Sequence, residues 1–309
     1  MARSKYIDLV EYSKQNRSFI EEKMSLHGAI LFRGFNITSP EQCESVLQAV
    51  CGELLEYSNR STPRRSVKGK IYTSTEYPHT ESIPLHNEMS YNLEWPLRLC
   101  FGCIVAPQHG GETPIADSRR VYARIPESIR ERFAKVGVMY VRNYNLGVDL
   151  TWQEVFQTES RDQVEAYCLR AGIAYEWLEG DGLRTVQTCQ GVVQHPQTSE
   201  LSWFNQAHLF HVSNLGQALR EAMAKEYRPA DLPRNAYFGD GAPIEPKTLD
   251  VIREAYQHET LTFVWEAGDL LLLDNILTAH GRNPYSGPRQ IVVGMAQLCS
   301  SAFGSTSLD

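Results

Sequence analysis

The chain has 309 residues, of which 42% are hydrophobic and 22% are charged, so it can bury a substantial core. Its formal net charge of −7, with no run of Lys or Arg longer than a pair, argues against nucleic acid as a partner. Apolar runs such as Leu270–Leu273 are far too short to span a bilayer, and the opening residues lack a signal-peptide core. We therefore expect a cytoplasmic protein with no membrane partner.

The first predicted elements are a strand at Ala29–Phe32 and a helix that begins after Ser39. Ser39 and the three residues after it combine a capping hydroxyl, a proline at the first helical position and a glutamine where a capping box requires one. Apolar residues then recur at helical spacing until Gly52 ends the run, namely Cys43, Val46, Leu47, Val50 and Cys51. We expect this apolar stripe to pack against a sheet.

Further predicted strands lie towards both ends of the chain, whereas the middle third carries helical patterns. The strands are Leu97–Val105, Val136–Val141, Leu261–Trp265, Leu270–Leu273 and Ile291–Ala296, and the helices include Gln163–Arg170 and Gly216–Met223. This order predicts an α+β chain whose sheet closes on itself as a sandwich or jelly roll. We expect a single domain over residues 1–309, with a partly helical, lid-like insertion at about 119–260.

Seven cysteines are scattered over the chain, and their odd number favours free thiols in a reducing compartment over a disulfide framework. They are Cys43, Cys51, Cys100, Cys103, Cys168, Cys189 and Cys299. The spacing of Cys100 and Cys103 is also found in zinc sites and redox pairs. Both residues, however, fall in a predicted strand, where positions three apart face opposite sides, so we do not expect them to act together.

Two His-x-Glu tripeptides offer an imidazole and a carboxylate two residues apart, a spacing that puts both on one side of a strand. The first, His79 with Glu81, follows a proline in a loop-like stretch, whereas the second, His86 with Glu88, leads towards the next strand. We therefore favour His86 and Glu88 as metal ligands. Two imidazoles and one carboxylate suit non-haem iron(II) and leave positions open for a co-substrate and dioxygen.

His280 is the best third ligand, because it lies between a buried strand and a long polar turn and can reach the mouth of a barrel. The alternative is a hydrogen-bonding role in the core. Arg289 stands at the head of an apolar strand face shared by Ile291, Val293 and Met295, and would need an anionic partner. A dicarboxylate held by its fork would supply one, and a surface salt bridge is the alternative.

With these motifs in place, the sequence resembles the taurine dioxygenase-like (TauD/TfdA) superfamily of iron(II)- and 2-oxoglutarate-dependent oxygenases. It looks closest to the branch of SyrP-like and clavaminate synthase-like amino-acid hydroxylases. The similar segments are 29–35, 72–77, 84–91, 110–117, 203–206, 238–241 and 280–289. The resemblance implies a double-stranded β-helix, or jelly roll, with flanking helices.

The resemblance also implies roles for individual residues. His86, Glu88 and His280 would bind iron, the hydroxyl of Thr113 would help to hold 2-oxoglutarate, and Arg289 would clamp its distal carboxylate. The later family arginine position is occupied by Val293 and the turn after His280 is short, so Arg282 is a second candidate for anion binding. The residues we expect near the substrate lie in the insertion: Arg142, Asn143, Trp203, Asn205 and Gln206.

The activity implied by the resemblance is hydroxylation of a small molecule. The substrate would be an amino acid or an amino-acid derivative, free or tethered to a carrier protein, in secondary metabolism. Glu88 argues against a halogenase, because halogenases of this superfamily lack the metal-binding carboxylate. Desaturation or cyclisation by the same ligand set stays open, as do a zinc hydrolase and an inactive binding barrel. A second metal site at His208 and His211, three apart, is a further alternative.

Overall fold

A computed structural model describes residues 7–56, 66–73, 77–144, 147, 149–301 and 303, with only the backbone at 66–68. Residues 74–76 of the 72–77 segment and the first six residues therefore lie outside the described part of the chain. Within that part, none of the helices has the length and apolarity that a bilayer crossing requires.

The helices in the described part of the chain are α1 (Leu9–Gln15), α2 (Arg17–His27), α3 (Pro40–Cys51), α4 (Ser118–Arg124), α5 (Glu127–Val136), α6 (Trp152–Phe156), α7 (Arg161–Arg170), α8 (Ala207–Phe210), α9 (Gln217–Glu226) and α10 (Pro246–Glu259). Short 3-10 turns occupy Glu179–Asp181, Val212–Asn214 and Pro229–Asp231. The predicted helices at 163–170 and 216–223 are confirmed as parts of α7 and α9.

The strands are β1 (Ala29–Phe32), β2 (Ser66–Lys68), β3 (Ile71–Thr73), β4 (Ile83–His86), β5 (Glu94–Val105), β6 (His109–Gly110), β7 (Ile115–Asp117), β8 (Val138–Tyr144), β9 (Ala174–Leu178), β10 (Gly182–Cys189), β11 (Val192–Gln194), β12 (Leu201–Trp203), β13 (Arg234–Phe238), β14 (Thr260–Leu261), β15 (Leu270–Asp274), β16 (Thr278–Arg282), β17 (Tyr285–Ser286) and β18 (Gln290–Ser300).

The described strands form five antiparallel sheets, which makes the molecule a mixed α and β protein; two of them are the pairs β11-β12 and β17-β6. A six-stranded sheet has the order β1-β15-β5-β18-β3-β2. A four-stranded sheet of order β14-β7-β16-β4, here called the site sheet, is built from both ends of the chain. A second four-stranded sheet, β13-β8-β10-β9, lies within the predicted insertion and is called the inserted sheet.

The six-stranded sheet is apolar on both faces, because successive side chains of its strands enter different hydrophobic clusters. In β15, Leu270 and Leu272 join the cluster under α1 to α3, whereas Leu271 and Leu273 face the other way. That other face packs with Trp265 and with Ile115 of the site sheet. The unbroken run of leucines in β15 therefore reflects burial from both sides.

Helix α3 confirms the prediction made from its capping residues. Ser39 and Gln42 form the capping box, Gly52 ends the helix, and the apolar stripe packs on β5 and β18. Gly102 of β5 allows this close approach, because a Cβ at that position would lie only 2.1 Å from the Cys43 sulfur.

The predicted strand at 261–265 is wrong over most of its length, since β14 ends at Leu261. Its backbone is held by a side chain rather than by a neighbouring strand: Arg33 donates to the Val264 carbonyl at 2.7 Å. The same guanidinium pairs with the buried Asp269 at 2.6 Å and 3.0 Å. An alternating apolar pattern cannot distinguish a strand from an extended segment whose backbone is hydrogen-bonded to a side chain.

Candidate metal centre

His86 and His280 face each other across two neighbouring strands of the site sheet. They are direct partners in the antiparallel pairing of β4 with β16, and their ring centroids lie 4.6 Å apart. Side chains of directly opposed residues project to the same face of a sheet. Gly281 permits the close approach of the strands, because a Cβ there would lie 2.6 Å from the Ile83 carbonyl oxygen.

Glu88 reaches the same place from a turn and not from a strand, because β4 ends at His86. The next residue, Met89, has a positive φ of 56°, which bends the chain back towards the site. Glu88 is 3% exposed, and its Oε2 lies 3.8 Å from Nε2 of His280. The strand therefore presents His86 but not Glu88, and the two side chains nevertheless converge.

The three side chains form a group able to hold a metal ion. One ligand atom from each of His86, Glu88 and His280 lies within 4.8 Å of the other two, and this is the one such group found in the described ranges. His86 Nδ1 lies 2.8 Å from the Pro84 carbonyl oxygen. Because a carbonyl can only accept, Nδ1 carries the proton and Nε2 is left with its lone pair for a metal.

A buried asparagine, Asn275, fixes the backbone of Glu88, and sequence reasoning did not identify it. The Asn275 side-chain oxygen accepts from the Glu88 N–H at 2.7 Å, and its nitrogen donates to the carbonyls of Glu88 and Pro96 at 2.9 Å. Asn275 itself follows Asp274, whose Oδ1 accepts from the N–H groups of Ile276 and Leu277. The carboxylate therefore sits on a turn that is hydrogen-bonded on both sides.

Two further amides connect the same turn to its surroundings. Asn87 donates to Ser118 Oγ at 3.0 Å and to the Asn275 carbonyl at 2.7 Å. Gln206, from the insertion, donates to the Asn87 carbonyl at 2.9 Å. Of the insertion residues expected near the substrate, Gln206 thus contacts the backbone beside Glu88.

Thr113 is buried at 2% exposure and its hydroxyl oxygen accepts from Trp265 Nε1 at 3.1 Å. This bond occupies a lone pair of the oxygen and leaves the hydroxyl proton able to donate elsewhere. Thr113 lies two residues before β7, whose Ile115 pairs with His280. The hydroxyl therefore lies just before the strand that pairs with His280.

Arg289 immediately precedes β18 and is half-buried. Its Nε donates to the Gly111 carbonyl at 3.2 Å, which a glycine with a φ of 71° makes accessible. Burial, and secondarily the charge of Arg282, lower the pKa of Arg289 to about 10, so the group remains a cation at neutral pH. Binding of an anion would stabilise the charged form of a guanidinium that burial disfavours.

Arg282 has a different environment. Its two terminal nitrogens donate to the carbonyls of Tyr77, Pro78 and Glu81 at 2.6 to 3.0 Å, so it braces that loop. The competing His79 and Glu81 pair lies exposed in the same loop and is not part of the metal-capable group.

Three of the residues expected near the substrate have structural contacts. Asn143 donates to the carbonyls of Ala230 and Leu232, and Asn205 donates to the Gly191 carbonyl. Trp203 is fully buried against Phe133 in a hydrophobic cluster. Arg142 lines a cavity, together with Tyr91 and Asn92 among others.

His208 and His211 do not converge on a common site. His208 Nε2 lies 2.9 Å from the Leu85 carbonyl and its ring stacks on Tyr256, whereas His211 Nδ1 contacts Ser213. Burial lowers the pKa of His208 to about 3 and that of His211 to about 4, so both are neutral at physiological pH. Neither belongs to a metal-capable group among the described residues.

All seven cysteines lie in the described part of the chain, and all are free, six of them buried. Cys100 and Cys103 face opposite sides of the six-stranded sheet, as predicted. Burial raises the pKa of Cys103 to about 12 and that of Cys100 well above its usual value.

Comparison with known proteins gives consistent matches over almost the whole chain. The model of the family described as taurine catabolism dioxygenase TauD, TfdA family matches residues 2–296. The dapdiamide synthesis protein DdaC of Enterobacter agglomerans is 41% identical over 276 residues, covering 89% of this chain and 84% of that protein. A clavaminate synthase-like protein of Arabidopsis thaliana is 29% identical over 297 residues, covering 93% and 86%.

A solved structure of a taurine dioxygenase from Burkholderia xenovorans aligns with a TM-score of 0.55 and 15% identity. The alignment covers 94% of this chain and 83% of that one. At this level of identity, the structural similarity is evidence for the fold alone.

Proposed function

This chain belongs to the taurine catabolism dioxygenase TauD, TfdA family, and on that premise we propose which of its residues carry the reaction and on what class of substrate. It is a non-haem dioxygenase whose cofactors are iron(II), 2-oxoglutarate and dioxygen. It carries out amino-acid-related oxygenation in secondary metabolism.

We assign the iron to His86, Glu88 and His280. The observation that carries this assignment is the convergence of their ligand atoms within 4.8 Å, with the two histidines directly opposed in the site sheet. Two imidazole nitrogens and one carboxylate oxygen are the donor set that iron(II) takes in this class, with the remaining positions open. His86 Nδ1 donates its proton to the Pro84 carbonyl, so the other ring nitrogen, Nε2, has a lone pair for the metal.

We assign 2-oxoglutarate to Thr113 and Arg289. The Thr113 hydroxyl, held by Trp265, can donate to a carboxylate oxygen, and the Arg289 guanidinium can form a charge-assisted pair with the distal carboxylate. When bound, iron(II), 2-oxoglutarate and dioxygen together supply the oxidation of a substrate carbon.

The protein's own contribution is to orient these groups and to exclude water. Glu88 is 3% exposed and His280 is 4% exposed, and the ring of Phe101 packs 5.0 Å from that of His280. Such a low-dielectric environment strengthens every charged contact made within it. Asn275 keeps the carboxylate turn in place.

We propose that the six-stranded sheet and the site sheet form a jelly roll and that residues 1–309 are one domain. The inserted sheet and its helices, within about 119–260, would then cover the substrate as a lid. The hydrogen bond from Gln206 to Asn87 supports this, because it ties the insertion to the turn that carries Glu88.

The substrate we propose is an amino acid or an amino-acid derivative, free or tethered to a carrier protein, and the reaction is hydroxylation. The names of the dapdiamide synthesis and clavaminate synthase-like relatives support this class. Desaturation or cyclisation by the same ligands would need only a different placement of the substrate.

The test is an anaerobic titration of the protein with iron(II) and 2-oxoglutarate, followed through the weak visible charge-transfer band, and then succinate formation in air with a panel of amino acids. We expect the band with the wild-type protein and no succinate from His86→Ala or His280→Ala. His79→Ala, in the competing pair, is the matched control and should keep both. No band with wild-type protein, or equal loss in the His79 variant, would overturn the assignment.

A further inference from the structure

Arg142 is a buried cation, and two of its guanidinium nitrogens lack a hydrogen-bond partner among the described residues. It lies in β8 of the inserted sheet and is 6% exposed. Among the described residues, neither its Nε nor its Nη2 has a hydrogen-bond partner, and its guanidinium carbon lies 4.8 Å from the centroid of the Tyr144 ring. Burying a guanidinium without an anion is costly, so such groups are normally paired.

The charges around Arg142 do not balance. It stands directly opposite Arg234 in the pairing of β8 with β13, and like charges in such positions repel. Arg234 is already paired with Asp149 through both carboxylate oxygens, including a bond of 2.6 Å from Nε. Two cations therefore share one carboxylate in the described part of this region.

No other described group supplies the missing negative charge. The phenol of Tyr144 stays protonated, because burial raises its pKa. The residues between Tyr144 and Asp149 in the sequence carry no ionisable side chain. The site is thus one anion short.

A cavity of about 20 Å³ lies beside the guanidinium. A single water needs roughly 10–15 Å³ by this measure, so there is room for one or two oxygen atoms, which suits a planar carboxylate better than a phosphate. Six of the residues that line it are Arg142, Tyr91, Asn92, Tyr144, Thr185 and Gln187.

This cavity is close to the metal centre along the chain. Tyr91 is the third residue after Glu88, so their Cα atoms are separated by at most about 11 Å. The cavity is therefore lined in part by the segment that follows Glu88.

We propose that Arg142 binds a carboxylate of the substrate, an inference that rests on the proposed function and deepens it. The substrate is then a small molecule held by its carboxylate, with the carbon to be oxidised pointing towards His86, Glu88 and His280. An amino acid tethered to a carrier through its only carboxyl group could not make this pair. A tethered substrate would need a second carboxylate.

The experiment loads the protein with Mn(II) in place of iron and with 2-oxoglutarate, so that no substrate is consumed. Thermal shifts are then measured with the twenty free amino acids and the dicarboxylates succinate and fumarate, each compared with its carboxamide. We expect at least one carboxylate to raise Tm while its amide does not. Arg142→Gln should weaken that binding about 100-fold or more, as expected for losing one partner of a buried ion pair. Arg142→Lys should weaken it less.

The matched control is Arg184→Gln, on the adjacent strand β10 of the same sheet but with its side chain on the opposite face. It should bind the same ligand as tightly as wild type. Equal binding by Arg142→Gln, equal binding of acid and amide, or a panel in which no carboxylate stabilises the protein would overturn the inference.

A ligand-free measurement separates a binding role from a structural one. Because the cation is unpaired, Arg142→Met should leave the Tm of the substrate-free protein unchanged or higher, and a fall of more than about 5 °C would overturn the inference. The iron and 2-oxoglutarate charge-transfer band should persist in Arg142→Gln. A missing band in wild type would instead contradict the proposed function, so the two failures are distinguishable.

Discussion

Arg289 is a half-buried guanidinium whose pKa is lowered by burial, and we assign it to the distal carboxylate of 2-oxoglutarate. Replacing it with Gln should raise the Kd for 2-oxoglutarate about 100-fold, because a charge-assisted pair with a carboxylate is lost. The measurement is a 2-oxoglutarate titration of the iron-loaded protein without oxygen. Arg282→Gln is the comparison: since its nitrogens brace the 77–81 loop, it should leave this Kd nearly unchanged. The reverse ranking would move the clamp to Arg282.

His208 predicts a specific pH dependence of stability. Burial lowers its pKa from 6.5 to about 3 in the folded protein, so between these values the unfolded chain binds the extra proton. Stability therefore rises with pH across this window and is lost as the pH falls from about 6.5 towards 3.

The substitution His208→Gln keeps a donor for the Leu85 carbonyl but cannot titrate. We expect it to reduce the slope of unfolding free energy against pH by up to about 1.4 kcal/mol per pH unit near pH 5. Urea unfolding at pH 4.5, 5.5 and 6.5 measures the slope for both proteins. Parallel curves for variant and wild type would mean that His208 titrates normally in the folded state.

At the residue scale, the sequence was sufficient to name His86, Glu88 and His280 as candidate metal ligands, because only a few types of side chain bind metals. It could not have singled out Asn275, since an asparagine after a buried strand is common in turns of every kind. Nor could it show that Trp203 packs in a core while Arg142 lines a cavity, because both belong to the same insertion. Those distinctions depend on contacts between distant parts of the chain.

The turn after β4 is the element on which the candidate centre depends. Asn275→Ala should lower the unfolding free energy by about 2–4 kcal/mol, because buried backbone groups of Glu88 and Pro96 lose their partners. It should also weaken iron(II) binding about 10- to 100-fold, as for other residues that orient a ligand.

The matched control for that element is Asn143→Ala, which likewise removes a buried amide bonded to two carbonyls, but in the inserted sheet. Asn143→Ala should lower the unfolding free energy by a similar amount and leave the iron Kd within about twofold of the wild-type value. Chemical denaturation and anaerobic iron titration give the two quantities for both variants. Equal iron affinity in the two would show that Asn275 does not position Glu88.

Element prediction succeeded where one local cause decides the structure, as in α3, whose capping residues and apolar stripe are contiguous in the sequence. It failed at 261–265, where a distant arginine holds the backbone. The two-residue spacing of His86 and Glu88 also did not reveal that the strand ends at His86. The inserted sheet was only partly anticipated, as helical patterns dominate that region of the sequence.

At the scale of the whole molecule, a metal at this centre would join strands from the first and last thirds of the chain. Mn(II) at 100 times its Kd should stabilise the protein by about 2.7 kcal/mol, which corresponds to a rise in Tm of about 5 °C. Differential scanning fluorimetry with and without Mn(II) measures the rise. His280→Ala should abolish it, whereas His79→Ala should retain it, and a rise that survives in His280→Ala would place the metal elsewhere.

The state of the cysteines has a consequence for the lifetime of such an enzyme. A protein that activates dioxygen is exposed to its own oxidising by-products, and the form of cysteine that they attack is the thiolate. Here six thiols are buried, and burial raises the pKa of Cys43 and Cys51 to about 12, so almost none is ionised at neutral pH. The fold thereby shields its sulfur from self-inactivation, and an alkylating reagent applied to the native protein should label Cys299 first.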